Sequence, residues 1–198
     1  MKRVLLIAVL IVIGYLAYNK FFANKSNEND GPHDQPLAIG ENTNAFNRSF
    51  QTMLDSYISL KNALSGNDTA AINKQALGLA QSADSLRTNE IQGDSTGTIK
   101  ETAEVYKGTI AGSARGLAGE ASLDQKQREF EMISDAIWTV TRTVKYNGNK
   151  LYYMFCEKAI GGKGAYWVSE QLNSGNPYMP GATEPCVTVQ DSLDYSKK

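Results

Sequence analysis

The sequence has almost no histidine and no recognisable catalytic motif. Its one histidine, His33, stands between two prolines in a polar stretch and is expected to be simply solvated. Serine or cysteine nucleophiles need a neighbouring base, and a metal site needs several converging ligands. The Gly161–Gly164 run lacks the Ser or Thr that follows lysine in a phosphate-binding loop, so it is interpreted as a turn. These absences predict a protein that is not an enzyme.

The first 25 residues contain no acidic residue, and the rest of the chain has no excess of basic residues. Four of the 20 Lys and Arg residues lie in the first 25 positions. The other 16, and all 21 acidic residues, lie in residues 26–198. A mildly acidic domain creates no electrostatic field that attracts nucleic acid. Nucleic acid is therefore excluded as a partner.

The N-terminus combines a basic start with a long apolar run. The uncharged Val4–Tyr18 run, extended past Lys20 to Ala23, reaches about 20 residues, enough to span a bilayer if Lys20 extends to the interface. No cysteine follows it, which excludes a lipoprotein, and the bulky Phe21 disfavours signal-peptide cleavage. Residues 1–23 are predicted to be a single-pass anchor with a cytoplasmic N-terminus. The alternative is a cleaved signal peptide.

Residues 24–44 are rich in Asn, Asp, Gly and Pro, which is typical of a flexible linker. Residues 45–189 are predicted to form the folded domain, beginning with four segments whose apolar residues recur every three or four positions. Four such segments with short loops between them predict an up-down helical bundle. The segments cover residues 45–64, 69 to about 87, 98–117 and 123–144, with cap or capping-box patterns at Asp68, Thr98 and Ser122.

Three glycines, Gly108, Gly112 and Gly116, form a stripe on the third predicted helix. Each interior glycine costs about 0.5–1 kcal/mol relative to alanine, so the stripe predicts close approach of another backbone. One interpretation is a contact inside the bundle. The other is a dimer seam, by analogy with the close approach of membrane helices.

The periodicity changes at Leu151. The aromatic Leu151–Cys156 segment predicts a strand, and a turn-rich stretch follows it, with a helical turn expected at Tyr166–Leu172 and a short strand near Cys186–Val189. The polar tail, residues 190–198, is expected to fray. The predicted fold is mainly α: a four-helix up-down bundle with a C-terminal cysteine-bracketed module of loop and short strands, preceded by the anchor helix.

An ordered string of residues carries a family resemblance over roughly residues 46–188. The string consists of Gln127-Arg128-Glu129-Phe130, Ile133-Ser134, Leu151-Tyr152, Cys156, Ala159, Gly164-Ala165-Tyr166-Trp167-Val168-Ser169, Asn176-Pro177-Tyr178 and Cys186. It resembles a bacterial envelope domain of unknown function that also occurs appended to periplasmic adaptor subunits of copper and silver efflux pumps.

The resemblance implies a helical bundle carrying a loop with cysteine and methionine, and contact with a soft metal. The anchor would then lie in the bacterial inner membrane with the domain in the periplasm, or the domain would be secreted there after cleavage. The chain departs from the family where Glu157-Lys158 replaces Pro-Met and Val187 replaces Gly. One thioether that could help to hold copper is therefore missing.

Cys156 and Cys186 are the only cysteines, and they allow three interpretations. Outside the cytoplasm they are expected to form a disulfide, which would close a loop of about 30 residues and contribute about 3–4 kcal/mol. Alternatively, both thiolates and the thioether of Met154 or Met179 would hold Cu(I), the soft ion that such ligands favour. The first two exclude each other, because an oxidised pair offers no thiolate. The thiols could also stay free.

Aromatic residues in the cysteine-bracketed stretch suggest an interaction surface. The candidate surface consists of Tyr166, Trp167, Asn176, Pro177 and Tyr178, although buried aromatics in a small domain are more often core. The favoured function is a protein-interaction module without a cofactor, which docks onto an envelope partner such as an efflux or signalling component. The alternative is a copper-handling domain.

Overall fold

The computed structural model describes residues 42–182 and 186–196. The predicted anchor and nearly all of the predicted linker lie outside these residues. Within them, no helix combines the length and the apolar character that crossing a bilayer requires.

The described residues form a mainly helical fold, as predicted, together with a small sheet. The four long helices are α1 (Asn44–Ser65), α2 (Thr69–Asp84), α3 (Thr98–Gly119) and α4 (Leu123–Val144), and a 3-10 turn (Thr88–Glu90) follows α2. The sheet contains β1 (Leu151–Cys156), β2 (Ala165–Ser169) and β3 (Thr188–Leu193), with a short helix α5 (Ala159–Gly162) between β1 and β2.

Helix starts follow the predicted capping pattern at two places and depart from it at a third. The side chain of Asp68 accepts a hydrogen bond from the Ala71 amide at 3.0 Å, and that of Ser122 accepts from the Gln125 amide at 3.2 Å. Helix α3 does begin at Thr98, but its N-cap is Gly97, which has no side chain to offer. Asp94 supplies the acceptor instead, 2.8 Å from the Lys100 amide.

Contacts between helix ends show that neighbouring helices run antiparallel. Asn42, just before α1, donates to the carbonyl of Val144 at the end of α4, 2.8 Å away. At the opposite end, Lys126 of α4 donates to the Leu117 carbonyl at 2.8 Å and to Asn73 of α2 at 2.7 Å. We call α1–α4 the helical body; its apolar faces form one continuous core that also includes the sheet.

A buried chain of hydrogen bonds joins α1, α4 and β2. The Val168 amide donates to the Tyr57 hydroxyl at 2.9 Å, and Tyr57 lies 2.8 Å from the Ser134 hydroxyl. Ser134 in turn donates to the Phe130 carbonyl at 2.8 Å. The Tyr57 ring stacks on that of Phe130 with centroids 5.2 Å apart. The free edge of β2 is thereby fixed to the seam between the first and last long helices.

The sheet is antiparallel, with β1 in the centre and β2 and β3 on either side. The predicted helical turn at Tyr166–Leu172 is wrong, because residues 165–169 form β2, in which Trp167 pairs with Met154. The C-terminal strand lies further along than expected and reaches Leu193, inside the predicted polar tail.

Backbone contact inside the domain does not explain the glycine stripe. A β-carbon placed on Gly108 or Gly112 would meet nothing within 4 Å, while one on Gly116 would lie 3.3 Å from the side chain of Glu129. The expected close approach of a second backbone in the helical body is therefore wrong. The dimer seam stays a prediction.

Candidate functional site

The two cysteines are joined by a disulfide with their Cα atoms 5.2 Å apart, as the first interpretation predicts. Cys156 lies buried at the end of β1, and the Asn176 side chain donates to the Cys186 carbonyl at 2.9 Å. The described part of the chain contains no free cysteine. The segment between the cysteines is thus a covalently closed loop.

The candidate metal ligands lie partly together. Met179 places its sulfur 3.6 Å from Cys156 Sγ, and Met154 lies two residues before Cys156 on the same face of β1. The disulfide leaves neither cysteine as a thiolate, so this oxidised arrangement does not fit Cu(I). Among the described residues there is also no group of three His, Cys, Asp or Glu side chains that could hold a metal.

Three of the five candidate interaction residues lie inside the domain. Trp167 is completely buried, and Pro177 and Tyr178 are buried beside it, whereas Tyr166 and Asn176 are half-buried. Tyr178 contacts the rings of Trp167 and Phe130 and donates to the Tyr166 carbonyl at 2.6 Å. Trp167, Pro177 and Tyr178 therefore hold the loop onto the helical body, and only Tyr166 and Asn176 reach the surface.

Four neighbouring rings, three of them stacked and Phe155 tilted against the last, form a different feature, which we call the aromatic ladder: Trp138, Tyr153, Tyr166 and Phe155. Successive ring centroids are separated by 4.6 Å from Trp138 to Tyr153, 4.8 Å from Tyr153 to Tyr166 and 4.6 Å from Tyr166 to Phe155. Trp138 is buried, and the other three rings are partly exposed. The ladder runs from α4 across β1 and β2.

One carboxylate of α4 contacts the aromatic ladder, and a second interacts with the first through its charge. Asp135 accepts a hydrogen bond from the Tyr153 hydroxyl at 2.6 Å, and Glu131 lies one turn earlier on the same helix. Partial burial and the charge of Asp135 raise the pKa of Glu131, against the weaker influence of Arg128 and Lys163. Burial and the Asp135 hydrogen bond raise the pKa of Tyr153. The ladder therefore combines aromatic faces with negative charge.

Sequence reasoning found Tyr166 but missed the other three rings. Alternation along β1 places Tyr153 and Phe155 on one face, and this signal was available in the sequence. The position of Trp138 opposite them depends on how α4 packs against the sheet, which no local pattern indicates.

Comparison with known proteins gives one match. Residues 53–149, from the middle of α1 to just beyond α4, match a family model described as a protein of unknown function (DUF3347). No curated protein and no solved structure shows significant similarity to the chain. The match agrees with the predicted resemblance to a domain of unknown function, over residues 53–149 of the chain.

Proposed function

We propose that this chain is a non-enzymatic interaction module of the bacterial envelope. In this proposal residues 1–23 anchor it in the inner membrane and the folded domain lies in the periplasm, or is released there if the segment is cleaved. The observation that supports the proposal is the aromatic ladder, because three of its neighbouring rings stay partly exposed at the edge of the core. Aromatic residues supply much of the binding energy of protein interfaces.

The chemistry of the ladder favours a basic partner segment. Trp138 and Tyr166 cover the two faces of Tyr153, so an Arg or Lys cation can approach only the ring faces at the outer end of the ladder, where it gains about 0.5–1 kcal/mol at an exposed site. Glu131 and Asp135 add negative charge at the border of the ladder. We therefore infer that the module binds an extended, arginine-bearing segment of an envelope protein, such as an efflux or signalling component.

A peptide titration tests this function. An extended peptide with two arginines should shift the ring resonances of Tyr153, Phe155 and Tyr166 in NMR spectra. The double variant Glu131→Gln, Asp135→Asn should weaken binding by about tenfold, equivalent to about 1.4 kcal/mol. Replacing the peptide arginines with glutamines should weaken binding similarly.

Glu129→Gln is the matched control, because it removes a carboxylate from the same helix on the side that faces Gly116 of α3. It should leave the affinity unchanged. The proposal fails if the peptide shifts no ladder resonance, or if Glu129→Gln weakens binding as much as the double variant does.

A second candidate function, copper handling, is favoured by the 3.6 Å separation of the Met179 and Cys156 sulfurs. Reduction would give two thiolates beside a thioether, a set that suits Cu(I). Thiol titration of unreduced protein, with and without denaturant, distinguishes the two functions. Zero free thiols favours the interaction module, while two thiols that stoichiometric Cu(I) protects would favour copper handling.

A further inference from the structure

A cleft of about 260 Å³ lies between the C-terminal half of α1 and the loop that follows β2. Its lining is mostly polar and includes two charged groups, Lys61 and Glu170, with Ile58 as its apolar part. Neutral hydrogen-bonding side chains complete the lining: Asn62, Ser169, Gln171, Asn173 and Ser174. The cleft is separate from the disulfide and from the aromatic ladder.

The loop over this cleft is held in place by its own hydrogen bonds and by a close contact. Ser169 donates to the Gln171 carbonyl at 2.7 Å and lies 2.8 Å from the Ser174 hydroxyl. A β-carbon on Gly175 would lie 2.9 Å from Cβ of Ser65, so only glycine lets the loop approach α1 this closely. The loop therefore has a defined position above Lys61.

The stem of Lys61 is buried, while its ammonium faces the cleft without a close acceptor. Its side chain lines the cleft although the residue is only 3% exposed, and no described residue makes a hydrogen bond or an ion pair within 4 Å to its ammonium. Burial lowers the pKa of Lys61, and the charge of Glu170 opposes this effect. The other buried lysine, Lys126, is 2% exposed but has two oxygen acceptors. The Lys61 ammonium is therefore still accessible from the cleft, where a negative group of a ligand can approach it.

Glu170 supplies the opposite charge at the same cleft. The side chain of Asn149 donates to one Glu170 oxygen at 2.9 Å and so orients the carboxylate. Lys61 and Glu170 interact through their charges but do not form an ion pair within 4 Å. A small ligand can therefore place a negative group at Lys61 and a positive group at Glu170.

We propose that the cleft between α1 and the 170–175 loop binds a small zwitterion, an α-amino acid with a short side chain. Its carboxylate would accept from the Lys61 ammonium, and its ammonium would donate to the Glu170 carboxylate. The neutral side chains of the loop would supply further hydrogen bonds. A doubly negative ligand would be repelled by Glu170, and a cleft of about 260 Å³ can hold a ligand of this size.

Calorimetric titration of the full chain with glycine, L-alanine and D-alanine tests the proposal, with acetate and methylammonium as probes that carry one charge each. We expect saturable binding of at least one amino acid, and binding at least tenfold weaker for both single-charge probes. Lys61→Met and Glu170→Gln should each weaken the binding of the amino acid at least tenfold. Lys74→Met, which replaces an exposed lysine on α2, should not change it.

Thermal unfolding of each variant confirms that it is folded before its binding is compared. A second measurement uses the unchanged protein: a bound amino acid should lower the ratio of Lys61 to Lys74 acetylation by acetic anhydride, a ratio that corrects for the reagent consumed by free amino acid. The proposal is overturned if no amino acid binds up to about 10 mM, which is weak on the scale of protein affinities. It is also overturned if Lys61→Met binds as tightly as the unchanged protein.

Discussion

The hydroxyl of Tyr57 contributes to the fold in addition to its ring. Its hydroxyl accepts from the Val168 amide and lies within hydrogen-bond distance of Ser134, so one atom connects α1, α4 and β2. The Ser134 hydroxyl uses its single hydrogen to donate to the Phe130 carbonyl. In the hydrogen bond between Tyr57 and Ser134, the Tyr57 hydroxyl is therefore the donor. Tyr57 therefore uses its hydroxyl as both donor and acceptor in the core.

Removing this hydroxyl should destabilise the domain. Tyr57→Phe keeps the ring stacked on Phe130 but leaves the buried Val168 amide without its acceptor, which costs about 1–3 kcal/mol. Urea unfolding should show a loss in this range. Tyr106→Phe is the control, because no hydrogen bond of the Tyr106 hydroxyl is found within the described residues. Equal losses for the two variants would contradict the role assigned to Tyr57.

At the scale of secondary-structure elements, the disulfide connects the end of β1 to the chain just before β3. Reduction should lower the free energy of unfolding by about 3–4 kcal/mol, because the unfolded chain gains the entropy of an open loop of about 30 residues. Urea unfolding with and without reductant measures this difference.

The double variant Cys156→Ala, Cys186→Ala is the control for reduction, because it should be insensitive to reductant. In the reduced protein the helical body should keep its helical circular dichroism, since most residues of the shared core lie on its four helices. A reduced protein as stable as the oxidised one would show that the bond adds nothing to stability.

The long helices were predictable because their information is local. Apolar residues of α1 such as Phe46, Phe50 and Leu64 recur at helical spacing, and Asp68 and Ser122 cap the helices that follow them. Strand β2 was not predictable in this way, since all but one of its residues are buried and it therefore shows no clean alternation. Its strand conformation depends on pairing with β1.

The site-forming contacts depend on chain segments that are far apart in the sequence. The sequence around Lys61 does not indicate that the loop at residues 170–175 covers it. From its position beside the apolar face of α1, Lys61 would be predicted to lie on the surface. The buried position of Trp167 likewise follows from the loop that brings Tyr178 against it. The disulfide was predictable because the chain has only two cysteines.

At the scale of the whole molecule, β2 connects the two proposed binding regions. Tyr166 at one end of β2 belongs to the aromatic ladder, and Ser169 at the other end lines the Lys61 cleft. Between them, Val168 fixes the strand to Tyr57 in the seam of the helical body. The same buried hydrogen bonds that stabilise the fold therefore position both surfaces.

Buried tyrosines should make the whole domain unstable in alkali. Burial raises the pKa of Tyr146 to about 12 and also raises the pKa values of Tyr57, Tyr153 and Tyr178. Unfolded tyrosine ionises near pH 10, so above that pH the unfolded state loses protons that the folded state keeps. Stability supplied by these groups is complete below about pH 10 and is lost as the pH rises further.

The ionisation of two buried lysines has the opposite effect on stability, at pH values below the range in which the tyrosines act. Burial lowers the pKa values of Lys61 and Lys126, so the folded state releases these protons first and stability increases as the pH approaches about 10.5. Four tyrosines against two lysines should still give a net loss above about pH 10. Each fully buried tyrosine contributes at most about 1.4 kcal/mol per pH unit, and the partly exposed ones contribute less.

Urea unfolding at about pH 8, 10 and 11 should therefore show stability that holds or rises slightly and then falls. Absorbance at the tyrosinate band should show that Tyr57, Tyr146, Tyr153 and Tyr178 ionise only together with the loss of helical circular dichroism. Tyr57→Phe should make the fall less steep, because it removes the most deeply buried of these groups. If all ten tyrosines ionised in one reversible step without unfolding, the tyrosines would not be coupled to the fold in this way.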